Sequence, residues 1–290
     1  MQKQTLGWIN GFIGMLIFSG SLPATKIAIT SFSPEFLTCI RAVIATFAGI
    51  ICLCIFRQFN LRNIHSHQIK SLLIVGLGVV IGFPLFTAMA LEHIDSSRAI
   101  VFVGLLPLAT AIFGVLRASE RPRLTFWIFA ILGAGCVITF MLSNASSQKI
   151  GIGDFYMLLS ILLCGLGYAE GGLLSKTLGG WQVICWALIF SCPLMLFLMF
   201  YYLPSHFQPI SIQAILGLLY VSLFSMLIGF FFWYKGLALG GVAQVGQIQL
   251  IQPFFGLLLS AFILGEHISL AMIFTAIAVV LCVLLAKKYA

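Results

Sequence analysis

Leu91-Glu-His-Ile-Asp-Ser-Ser-Arg98 runs through Val101-Phe-Val-Gly-Leu-Leu-Pro107 to Glu120. At a distance of 146 residues, Leu237 leads through Gln244-Val-Gly-Gln-Ile-Gln-Leu-Ile-Gln-Pro253 to Glu266. In both copies the proline follows the leucine by 16 residues and the glutamate follows the proline by 13. A half-length repeat in a very apolar chain points to two related half-bundles that close around one site between them, the plan of a membrane transporter.

The composition supports a membrane setting. Hydrophobic residues make up 61% of the chain and charged residues 8%, against roughly 25% charged in an ordinary soluble domain. Lys176 and Lys235 bracket 58 residues without Asp, Glu, Lys or Arg, far more than the roughly 20 apolar residues that cross a bilayer once. The segment 202–211, with Pro204 and Pro209, divides that run into two crossings. The same length test along the chain predicts ten spans, near 6–25, 34–56, 70–90, 99–117, 124–142, 154–174, 182–203, 212–234, 243–264 and 269–287. Backbone polar groups must be satisfied internally in hydrocarbon, so runs of this length are helices. The alternation of a membrane barrel is absent.

Basic residues favour the cytoplasmic side of a membrane. Loops taken alternately put 11 of them, from Lys3 to Lys288, on one side, and Lys26, Arg98 and Lys149 on the other. Both termini are therefore expected in the cytoplasm, which requires an even number of spans. The net charge of +8 follows from this topology and implies no nucleic-acid partner. The first span has no small-residue cleavage site and is read as retained. The 8 cysteines contain no CxxC pair and read as buried thiols rather than disulfides or metal ligands.

The polar stretch 143–153 is the natural linker between a first five-helix half, residues 1–145, and a second, 146–290. Five is odd, so the second half sits inverted relative to the first. The expected fold class is an all-α membrane protein with ten transmembrane helices in two inverted five-helix repeats. In this setting the chain resembles the drug/metabolite transporter superfamily, specifically its ten-helix EamA-type branch. The resemblance rests on Pro107 to Glu120, on Pro253 with Leu264-Gly265-Glu266, on Arg41 early in the second span and on Lys26 at the end of the first. It implies a secondary carrier, commonly an exporter of amino acids or other small metabolites, in an inner bacterial membrane. A GxxxxGK[ST] phosphate loop is absent.

Several residues can carry chemistry within the spans. Arg41 is costly in a helix centre, by about 2.5–3.5 kcal/mol on insertion scales, so it either snorkels outward toward Glu35 or lines a wet cavity. Glu170 is the one carboxylate well inside a predicted span. It either binds substrate or a coupling proton, or pairs with Lys176 or faces cytoplasmic water. Gln244, Gln247, Gln249 and Gln252 crowd the start of the ninth span, where each amide needs a partner. Two or three of them, with Gln244, Gln247 and Gln252 the candidates, are expected on the translocation path. Pro107 and Pro253 stand at matched positions, where paired helix breaks release carbonyls near the midplane. Tyr168 and Trp233 are aromatic candidates for stacking on a solute. Glycine pairs such as Gly7/Gly11, Gly78/Gly82 and Gly236/Gly240 allow close helix approach.

An enzyme is excluded, because the 5 histidines lie in loops or at span ends and HExxH and GxSxG are absent. No cofactor or metal is implied. The expected partners are a small polar or amphipathic solute, membrane lipids and a coupling proton. Few basic residues lie in the spans, which disfavours a tight anionic site, and the single deep carboxylate disfavours a strongly cationic solute. Two rivals to the carrier are a flippase for a lipid-linked head group and a non-transporting partner in a membrane complex.

Overall fold

The computed structural model describes residues 2–60, 64–94, 96–144, 151–204, 209–264 and 270–289. Gly265, Glu266 and most of the linker 143–153 lie outside the described residues. Within them the chain forms helices and no strand. Six helices are long and apolar enough to cross a membrane unaided. They are α1 (Gln2–Ala28), α2 (Pro34–Ile55), α3 (Ser66–His93), α6 (Ile152–Leu178), α7 (Gly180–Tyr201) and α8 (Ile212–Gly240). Four more complete the ten. The continuous helices are α5 (Leu124–Asn144) and α10 (Leu270–Tyr289), while α4 is split into Ser96–Val103 and Leu106–Ala118. The ninth, α9, is built from Val242–Gly246, a 3₁₀ turn Gln247–Ile251 and Gln252–Leu264.

Local chemistry sets several of these boundaries. Ser33 Oγ accepts from Phe36 N at 3.3 Å with Pro34 opening the helix behind it, and Ser211 Oγ accepts from Ala214 N at 3.1 Å. Both hydroxyls satisfy an amide that has no intrahelical acceptor. Pro107 and Pro253 each stand in the first turn of the last piece of their helix. A proline there forfeits no bond, because the first helical amides have no acceptor within the helix. The expected paired breaks are thus present, each just ahead of its proline.

The repeat offset of 146 residues runs through the whole architecture. Shifting residues 34–55 and 106–118 by 146 gives 180–201 and 252–264, the bounds of α7 and of the last piece of α9. Packing follows the same rule. The contact of α1 with α8 is matched by that of α6 with α3, and α2 packs on α7, α4 on α9 and α5 on α10. Even the wide π-helical turns are paired, Gly76–Gly82 in α3 and Tyr220–Ile228 in α8. These matched pairings are what a two-fold axis between inverted halves produces, although α6 packs more closely on α7 and α8 than α1 does on α2 and α3.

Glycine brings α1 and α8 together. A Cβ on Gly7 would stand 2.7 Å from Gly240 N, and one on Gly236 would stand 2.6 Å from Gly11 N. Only glycine lets the two backbones approach this closely. Apolar side chains such as Phe47, Ile55, Phe197 and Ile212 point outward and stay exposed, the exterior that an integral membrane protein presents to lipid.

Candidate functional site

A small cavity of about 20 Å³ lies between the halves, room in this conformation for about one water. Its walls come from α1 (Phe18, Ser21, Leu22), α2 (Arg41), α3 (Val79, Phe83, Pro84), α4 (Val103, Leu106), α6 (Tyr168), α8 (Ser225, Phe230) and α9 (Gln252). Four wall pairs are separated by the repeat offset: Leu22 and Tyr168, Val79 and Ser225, Pro84 and Phe230, Leu106 and Gln252. The cavity therefore sits on the pseudo-two-fold axis. In each pair the first half supplies an aliphatic residue or proline, and the second half a polar or aromatic one.

Arg41 does not snorkel. Its side chain is 5% exposed, Nη2 donates to Val221 O at 2.9 Å inside the π-helical stretch of α8, and Nε has no partner. Ser21 and Ser225 join α1 to α8 across the wall, Oγ to Oγ at 2.7 Å. Beneath the cavity an aromatic floor closes the path toward the side that carries the termini. The Tyr168 ring lies 5.2 Å from Trp233 and 6.2 Å from Phe18, and Phe230 lies 5.0 Å from Tyr234. Tyr234 donates its hydroxyl to Gly167 O at 3.2 Å, fastening α8 to α6 below the floor.

A polar lock lies deeper on the same side. Glu170 on α6 is 2% exposed; its carboxylate accepts from Ser71 Oγ on α3 at 2.5 Å and from Arg117 Nε on α4 at 2.8 Å. Glu170 thus pairs with Arg117 rather than Lys176 and takes no part in the cavity wall, contrary to one of the expectations for it. Beside it Glu120, just past α4, accepts from Val242 N and Ala243 N, both at 2.7 Å, at the start of α9. At the opposite end Lys26 Nζ donates to Leu91 O at 2.7 Å.

The other candidates separate. Tyr168 and Gln252 line the cavity, whereas Pro107 and Pro253 are buried beside it and Trp233 supports the floor from behind with no exposed surface. Gln244 stands at the terminal-side rim, where Oε1 accepts from Gln4 Nε2 at 2.9 Å, and so leaves the cavity set. Gln247 and Gln249 are 0% exposed with both amide atoms unpartnered, and Gln252 Oε1 is unpartnered too. Sequence reasoning missed Ser21, Ser225, Phe18 and Phe230. Subtracting the repeat offset from Tyr168 and Gln252 would have found Leu22 and Leu106. Among the described residues no cluster of three or more His, Cys, Asp or Glu could hold a metal.

A ten-helix membrane bundle with a cavity between inverted halves has the architecture of a transporter. The chain belongs to the EamA-like transporter family, whose model matches residues 5–142 and 151–287. It is 57% identical over 290 residues, covering 100% of both chains, to a Bacillus subtilis (strain 168) protein named "Uncharacterized transporter YdeK". A solved chain described as "Crystal structure of protein" matches at a TM-score of 0.79 with 18% identity, covering 98% of this chain and 99% of that one. That likeness speaks to the fold alone.

Proposed function

We propose that the protein is a secondary carrier that exports small polar or amphipathic metabolites, amino acids among them, by alternating access. The observation that carries this reading is the cavity on the pseudo-two-fold axis, with an aromatic floor and the Glu170–Arg117–Ser71 lock beneath it. An axial site between two halves can face either side when one half rocks against the other. In this reading the halves 1–145 and 146–290 are the moving bodies, embedded in membrane lipids with both termini in the cytoplasm. Arg41, Tyr168 and Gln252 face the solute, aided by Ser21 and Ser225. Trp233, Pro107 and Pro253 position the wall. The closed lock on the terminal side is then the cytoplasmic gate, and Glu170 holds it shut. A coupling proton, if used, enters through Glu170 when the gate opens and Arg117 withdraws.

Proteoliposomes loaded with amino acids, nucleosides, polyamines or small organic acids test this directly. Saturable efflux without ATP, slowed by filling the cavity with Leu22→Trp, is the expected result. Vesicles that move none of these solutes but scramble a lipid-linked head group would replace the carrier with a flippase.

A further inference from the structure

Arg41 presents a problem that its own surroundings leave open. Its guanidinium is buried, yet its one hydrogen bond is to the neutral Val221 carbonyl and Nε has no acceptor. Among the described residues no carboxylate lies within 4.0 Å of it, and the one ion pair in the neighbouring bundle belongs to Arg117 and Glu170. Among the described residues the cavity wall holds no Asp or Glu. Glu35, on the same helix, makes no ion pair with it. A charge taken from water without a counter-ion is strongly disfavoured, so an anion entering the cavity would offset a cost that is already present.

The rest of the wall limits what that anion is. Phe18, Phe83, Phe230, Val79 and Leu106 are apolar, so the body of the ligand is apolar. A single cation matches a single negative charge, and a dianion would leave one charge buried without a partner. The Ser21–Ser225 pair keeps one hydroxyl hydrogen to donate to a carboxylate, and Gln252 Oε1, an acceptor, can take a donor on the body of the ligand. We propose that the cavity binds monoanionic organic carboxylates with an apolar body, the carboxylate on Arg41 and the body on the aromatic floor. This rests on the carrier reading above and names its substrate class. It also reverses the expectation that few basic residues disfavour an anion: the position of one unpaired cation outweighs the number of them.

Four matched probes test the proposal on the purified full chain in detergent: 3-phenylpropionate, the isosteric 3-phenylpropionamide, 3-phenylpropylamine and the dianion succinate. Binding is read by thermal shift and by competition. The acid is expected to bind at least about tenfold more tightly than the amide, the charge-assisted bond being the difference, with the amine and succinate weaker still. Arg41→Gln is expected to erase the preference of acid over amide, and Arg41→Lys to retain part of it. An amide that competes as well as the acid on the unmodified protein overturns the proposal without any variant having to fold. So does a folded Arg41→Gln protein that keeps the acid preference, which would make Arg41 only a clamp between α2 and α8. If all four probes fail while the proteoliposome panel finds another solute, this proposal falls and the carrier reading stands. If that panel also fails, both fall.

Discussion

The two ends of the bundle are related by the repeat yet closed by different chemistry. On the terminal side Ser71, Glu170 and Arg117 tie three helices with a buried carboxylate. The residues at the repeat offset are Gly217, Ala24 and Ile263. There a Cβ on Gly217 would stand 2.7 Å from Ala24 O, so small residues and close backbone contact replace the charge. The reverse holds one turn away, where Lys26 reaches the Leu91 carbonyl and its counterpart Gly172 packs on Leu237. An inverted repeat thus needs one backbone plan in both halves but not one set of side chains. In the carrier reading proposed above, two closures with different energetics would bias the resting conformation to one side, which a symmetric pair could not do.

Removing Arg117 breaks this comparison most severely. Arg117→Ala leaves Glu170 in a buried site with only the Ser71 hydroxyl. Arg117 itself is 44% exposed, which moderates the loss, so the expected cost is about 2–3 kcal/mol rather than the larger figure for a fully buried pair. Thermal unfolding measures it, and labelling of the buried Cys164 thiol, followed by mass spectrometry, reports opening of the terminal side. Adding Glu170→Gln removes the stranded charge and should recover most of the stability. A double variant no better than the single would mean that the lock is not held by charge.

The repeat also pairs Gly7 on α1 with Gly153 on α6, and the two differ in what surrounds them. A Cβ at Gly7 meets the backbone of Gly240 at 2.7 Å, whereas one at Gly153 meets the Ile94 side chain at 2.8 Å. A backbone in a packed helix pair cannot yield, and a side chain can turn. Gly7→Ala is therefore expected to destabilise by about 2 kcal/mol and Gly153→Ala by about half of that. Equal shifts in melting temperature would show that the two interfaces tolerate crowding alike.

How much of this was legible in the chain depends on whether a feature is periodic. Ten helices and their inversion follow from apolar run lengths, basic loop residues and the spacing shared by Pro107–Glu120 and Pro253–Glu266, because a bilayer imposes length and the repeat imposes register. Arg41, Tyr168 and Gln252 were legible as residues of an internal cavity wall, since each is a polar or aromatic group that hydrocarbon would penalise. Gln244 looked the same in sequence but ends at the rim, bonded to Gln4. The helix-wheel angle alone gives no depth along the path. The partner of Glu170 was misread because sequence proximity favours Lys176, whereas the α4–α6 contact brings in Arg117. Ser21 and Ser225 carried no signal, because serines are small enough to sit anywhere in a helix bundle.

At the far end, Lys26→Met keeps the apolar stem and deletes the bond to Leu91 O. A charged donor on a neutral carbonyl at a partly buried site contributes about 1 kcal/mol, less than the lock opposite. Thermal unfolding measures it, and a loss as large as that of Arg117→Ala would show that the two closures are energetically alike.

The smallest stability effect falls within the cavity, where Leu106 and Gln252 are the matched pair. Gln252→Leu makes the second half resemble the first at this position. The variant loses an amide whose Oε1 has no partner, so stability is expected to hold or to rise by up to about 1 kcal/mol. Solute efflux should nevertheless fall, since the wall loses the one amide that faces the cavity among the described residues. A gain in melting temperature with a loss of transport would show that the second half carries its polarity for the solute and not for the fold. A loss of both would instead assign Gln252 to helix packing, leaving Arg41 and the serine pair as the polar groups that distinguish the two walls.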